Sequence, residues 1–149
     1  MSYKLSMLLS LLIASPASWA CSYDGQFSNP FAESYPGALD VAIATQQAVK
    51  NDVIMPTKVL TGTNGLRRVT WWLKVWGDSS PPIPSNSYIY LVDSQLWAQY
   101  KQGKAIAVHV APPKGGVTVV QLTETTLHSL ISETLTFEHA LDIGLILRT

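Results

Sequence analysis

The chain opens on an apolar block and then alternates short periodic segments with turn-forming residues. Leu5 to Ala14 (LSMLLSLLIA) is apolar and follows Lys4, the first charge of the sequence. Small residues then lead to Ser18-Trp19-Ala20 ahead of Cys21. Ten residues rise about 15 Å as a helix, roughly half of a bilayer core. A basic start, a short apolar stretch and small side chains before a break are the marks of a secretory signal, and residues 1–20 are read as one. Residues 21–36 (CSYDGQFSNPFAESYP) carry two prolines, Gly25, Asn29 and several serines, which suits an irregular arm pinned to the body through Phe27, Phe31 and Tyr35. Residues 37–149 are read as a single domain.

Within that domain Leu39, Ile43 and Gln46-Gln47 follow a helical spacing among Ala38, Ala42, Ala44 and Ala48. Alanine is the strongest helix former, so a helix over 37–50 is predicted, closed by Asn51-Asp52. Leu66, Val69, Leu73 and Trp76 repeat at intervals of 3, 4 and 3 after Asn64-Gly65, and Gly77 is placed to stop a second helix. A strand through Val69–Val75 is the competing reading, because Trp, Thr and Val favour sheets. Trp71 and Trp72 cannot share a face in either geometry, so one of them belongs at the core's edge or on a binding surface.

Ser79 to Ser87 (SSPPIPSNS) is a proline-rich connector. Tyr88–Val92 then reads as a buried strand, with Asp93-Ser94 as its breaker and turn. Leu96–Tyr100 reads as a short strand or turn, Ala105–Val110 and Val117–Leu122 as further strands, with turns at KQGK and APPKGG between them. Thr123 can cap a helix from Glu124 to about Ser132, with Glu124 favourable at the positive dipole end. Thr136 can cap a second helix over 137–143, Gly144 stops it, and Leu145-Ile146-Leu147 forms a last strand. The order helix, helix, strands, helix, helix, strand makes this an α+β fold, an antiparallel or mixed sheet of about four to five strands covered by helices.

Composition narrows the function. The 149 residues carry ten basic and ten acidic side chains, only 13% charged against 47% hydrophobic. Nucleic-acid and polybasic membrane contacts need a cationic surface, which zero net charge does not supply. The chain is too apolar for disorder, and one cysteine makes no internal disulfide. Cys21 would be the first residue after the signal, which makes it the candidate for lipidation. Against a lipoprotein, Ser18 and Trp19 stand where such signals usually carry Leu and a small or β-branched residue. Ordinary cleavage that leaves cysteine first is the alternative.

Catalytic and metal chemistry find little support. His109 sits on an expected strand, and His128 and His139 on separate helices, without metal-ligand spacing. Glu124 and His128, four apart, read as a helix-surface pair. No G-x-S-x-G elbow exists, and nothing in the carboxylate spacing selects a catalytic pair. The chain is therefore expected to be no enzyme and to need no cofactor.

The closing segment, VVQLTETTLHSLISETLTFEHALDIGLI, resembles the end of the sterol carrier protein type 2-like domains. Val119-Val120 would be their strand, Thr123 would enter the helix carrying Leu127, Leu130 and Ile131, Leu135 and Ala140 follow, and Gly144-Leu145-Ile146 closes. Glu133 stands where that family commonly has Gly. The resemblance covers about a fifth of the chain. It implies a curved sheet covered by helices, with an apolar cavity between them. By position the lining would be Trp97, Ile106, Val108, Leu127 and Leu130; the alternative is that these five fill an ordinary core. The expected function is a non-catalytic, exported, periplasmic domain that binds a lipid or other small apolar ligand, touching a membrane only through a lipid anchor on Cys21. The alternative is an accessory subunit of an envelope complex, presenting Trp71 or Trp72, Trp76 and Trp97 to a protein partner.

Overall fold

Apolar strands with β-branched and aromatic residues pair into one sheet, and helices with a single apolar stripe close over it. A computed structural model describes Cys21, Tyr23 and residues 35–149; the expected signal at 1–20 and the expected pins Phe27 and Phe31 lie outside the described residues. The order is α1 (Ala38–Lys50), α2 (Gly62–Asp78), β1 (Tyr88–Leu91), β2 (Leu96–Gln99), β3 (Ala107–Val108), β4 (Val119–Leu122), α3 (Glu124–Ile131), α4 (Phe137–Asp142) and β5 (Ile146–Arg148). The five strands lie in the order β3-β2-β1-β4-β5. β1 and β4 run parallel, and every other pair is antiparallel. The fold is α+β with a mixed sheet.

Alternation along the strands gives the sheet two different faces. Ile89, Leu91, Leu96, Ala98, Val120, Leu122 and Ile146 share a core with Val69, Leu73 and Trp76 of α2, Leu127 of α3, and Phe137 and Ala140 of α4. The opposite face carries Tyr90, Trp97 and Val119, closed by Ala38 with Tyr35 and Val110 packed alongside. Tyr35 meets Trp97 edge-on at 5.1 Å between centroids, and Trp97 lies 4.6 Å from Tyr90. Offset and edge-on ring contacts add to the apolar area they bury. Gln121 is also enclosed on this side, and its Nε2 donates to the Pro36 carbonyl at 2.8 Å.

Three local expectations are corrected. The inward face of α1 is Ala38, Val41, Thr45 and Ala48, whereas Leu39 and Ile43 are 51% and 47% exposed. Small side chains face in because the helix runs close to its neighbours; a Cβ added at Gly144 would lie 3.7 Å from that of Ala44. The third strand is only Ala107–Val108, because His109 takes a left-handed φ of 60° and ends the ladder. The fourth begins at Val119, after Gly115 and Gly116 take positive φ. The second helix forms as a helix, and it exposes Trp71 at 60% while holding Trp72 half-buried.

The turn after α3 accounts for Glu133. Its φ is 58°, the left-handed conformation that glycine adopts most easily. Its N–H donates to the Leu130 carbonyl at 3.1 Å, which closes the helix end.

Exposure separates the tryptophans and leucines of α2. Leu73→Ala removes a side chain with no exposed surface and is expected to lower unfolding free energy by about 2–5 kcal/mol. Trp71→Ala is expected to stay within about 0.5 kcal/mol. Urea unfolding of the two variants checks this, and equal losses would contradict the assigned face.

Candidate functional site

β1 delivers Asp93-Ser94 to the first turn of α3. A helix start leaves backbone N–H groups without partners. The Thr123 hydroxyl accepts from the Thr126 N–H at 3.1 Å, and the Glu124 N–H points at both Asp93 carboxylate oxygens at 3.1 Å. This cap places two carboxyl groups side by side, that of Asp93 and that of Glu124.

Glu124 is satisfied on both oxygens. Oε2 lies 3.3 Å from Nη2 of Arg68, and Oε1 accepts a hydrogen bond from the Tyr23 phenol. Arg68 comes from α2, lies over Trp72 at 4.4 Å from the ring centroid, and donates from Nη1 to the Lys58 carbonyl at 2.5 Å. Tyr23 comes from the segment ahead of the domain. Its ring rests on α2 at Gly65, where an added Cβ would overlap the Tyr23 ring. Glycine here lets the phenol reach Glu124.

The strap between α1 and α2 covers this cluster. Residues 55–61 form neither helix nor strand. The strap is tied down by the Arg68–Lys58 bond and by Thr57 and Thr125, whose hydroxyls are 3.0 Å apart. Beneath it is a cavity of about 360 Å³. Val49, Pro56, Val59 and Leu60 make up the apolar part of its lining; Tyr23, Arg68, Asp93, Ser94 and Glu124, with Thr45, Gln46, Thr57 and Thr125, make up the polar part.

The polar part holds two acidic groups and one basic one, with Arg68 paired to Glu124. The Asp93 carboxyl is pushed up to about 7, first by desolvation among the surrounding protein atoms and then by the Glu124 charge; the hydrogen bond from the Glu124 N–H opposes this. Asp93 is nevertheless solvent-exposed by surface area and lines the cavity, so it is crowded by protein without being dry. The Tyr23 phenol is held above its ordinary range by burial, then by its hydrogen bond to Glu124 and the nearby carboxylates, and stays a neutral donor. Ser94 is only 3% exposed, and its hydroxyl interacts with the Tyr23 phenol; Arg68 Nε has no hydrogen-bond partner among the described residues.

The five positions expected to line a cavity do not face one space. Trp97 is on the aromatic face. Leu127 is fully enclosed in the opposite core, with Ile106, Val108 and Leu130 packed half-buried against that core. Cys21 is buried, with Sγ 4.0 Å from Nε2 of His109, beside Trp97 in a cleft of about 20 Å³. Glu124 does not pair with His128 on a helix surface: it turns to Arg68 and Tyr23, and His128 packs 5.0 Å from the Trp72 ring. Among the described residues no three His, Cys, Asp or Glu side chains converge as a metal site, and no helix is long and apolar enough to cross a membrane.

No family model, curated protein or solved structure matches this chain.

Asp93 gives the fold a pH dependence of unusual sign. Its folded pKa is raised from 3.8 to about 7, so between those values the native state keeps a proton that the unfolded chain releases. The contribution is fully present below the unfolded value and is lost as pH rises through the folded one. Asp93→Asn is therefore expected to flatten the fall in stability between pH 4 and 7, as read by urea unfolding at both ends; an unchanged difference between them contradicts the shift. Arg68→Ala leaves Glu124 without its cation and is expected to cost about 1–3 kcal/mol in the same assay, a loss that vanishes if the ion pair contributes nothing.

Proposed function

We propose that this chain is a non-catalytic, exported, periplasmic binding module that holds a small molecule with an apolar body in the cavity beneath the 55–61 strap. The observation that carries this reading is the mixed lining of the cavity, in which Val49, Pro56, Val59 and Leu60 supply apolar surface and Tyr23, Arg68, Asp93, Ser94 and Glu124 polar groups. Burial against such apolar surface contributes about 25 cal/mol per Å² of ligand surface, and a few polar groups fix orientation. The carboxylates favour binding over catalysis. Both Glu124 oxygens are engaged by structural partners, and Asp93 caps a helix.

The leader at 1–20 supports export, with Cys21 the point of lipid attachment if a membrane is involved. The sterol carrier likeness supports an apolar ligand. On that likeness the strand, helix, short helix and strand would be β4, α3, α4 and β5, and Glu133, at the place where the family commonly has Gly, has a φ of 58°. The ligand, on this reading, lies beside the sheet-to-helix core rather than within it, because Leu73, Leu122 and Leu127 leave that core no exposed surface.

Exposed Trp71 favours a second reading, an accessory subunit docking to an envelope protein, since lone exposed tryptophans are frequent interface anchors. Trp76 and Trp97 are buried and would not take part.

Native mass spectrometry of the exported protein purified without detergent, followed by organic extraction, tests the first reading. A co-purified apolar mass near one per chain is expected, and Val49→Trp, which fills the apolar part of the lining, is expected to lose it. A ligand-free protein whose capture of an envelope partner depends on Trp71 would transfer the assignment to the second reading.

A further inference from the structure

We propose that the polar part of this cavity's lining recognises one cationic head group, a primary ammonium on an apolar body, with Asp93 as its counter-ion. The inference rests on the cavity reading above and assigns the ligand's polar end. Among the described residues lining the cavity, Glu124 and, above its raised pKa, Asp93 carry negative charge and Arg68 alone carries positive charge, which leaves one negative charge in excess once Asp93 ionises. Arg68 is engaged by Glu124 and by the Lys58 carbonyl. Asp93 keeps an accessible side toward the cavity, and the donors it holds are backbone N–H groups, those of Glu124, Asp93 and Ser94. A charge enclosed by protein is unfavourable until a counter-charge reaches it.

Beside Asp93 stands Ser94, nearly fully buried, whose hydroxyl interacts with the Tyr23 phenol and so helps to hold that ring at the cavity. The Tyr23 ring borders the same space, and aromatic faces attract cations. An anionic head would meet two carboxylates, and a neutral head would leave the excess charge in place. The apolar part of the lining then takes the body of the ligand.

The groups acting on Asp93 are Glu124 from α3 and Tyr23 from the leading segment, and Arg68 of α2 lines the same cavity; among the described residues α1 contributes only the uncharged Thr45, Gln46 and Val49. Affinity for an amine should therefore follow the ionisation of Asp93, because an alkylammonium keeps its charge throughout the range from pH 5 to 8.

The test compares hexylamine, 1-hexanol and hexanoate on the full exported protein by calorimetry and by amide shifts around the cavity. At pH 8 hexylamine is expected to bind about tenfold more tightly than hexanol, with hexanoate the weakest, since charge-assisted hydrogen bonds are the strong ones. The amine's advantage is expected to shrink to about twofold or less at pH 5 and in Asp93→Asn. The pH comparison on the unsubstituted protein decides the matter if that variant does not fold. Equal binding of amine and alcohol at pH 8, or an advantage that survives acidification, overturns the cationic assignment and leaves the apolar cavity standing. Shifts from none of the three ligands overturn both.

Discussion

The buried start of α3 must find a partner for its first N–H, and Asp93 at the end of β1 supplies it. That single cap has consequences in three directions. It fixes the turn between β1 and β2 against the helix. It sets one carboxyl next to another, which calls for Arg68 and the Tyr23 phenol around Glu124. Arg68, once drawn in, holds the Lys58 carbonyl and so fastens the strap over the cavity. The cavity and its charge are by-products of how a strand end meets a helix start.

Around that joint the sheet divides its work. One face is an aliphatic core closed by α2, α3 and α4; the other is a tyrosine–tryptophan layer under Tyr35 and the start of α1. α1 bridges the two, with Ala38 in the aromatic cluster and Ala48 in the aliphatic one. A helix in that position must be narrow, which is why its alanines and Thr45 face in and its larger Leu39 and Ile43 face out.

Periodicity made the elements legible. Val69, Leu73 and Trp76 at helical spacing, the continuous run Tyr88–Leu91, and the Thr123 and Thr136 caps each gave a local signal that tertiary contacts reinforce. It misled where size mattered more than hydrophobicity, as on α1, and where backbone conformation decided, as at His109. The candidate site was hidden for a different reason. Asp93 reads as a turn residue, Glu124 as a dipole partner and Tyr23 as part of an irregular arm, while Arg68 lies off the apolar line Leu66, Val69, Leu73 and Trp76. Each local reading is sensible alone, and only the sheet-to-helix joint brings them together. The one local hint was a charged residue directly after a fully apolar strand, since a buried strand end rarely carries a carboxylate without a nearby donor.

Titration of the Asp93 side-chain carboxyl carbon by NMR, with and without saturating hexylamine, tests the central claim most directly. A midpoint near 7 in the free protein, moving to lower pH when the amine binds, is the predicted result. A midpoint near the ordinary 3.8 that hexylamine leaves in place would contradict the account.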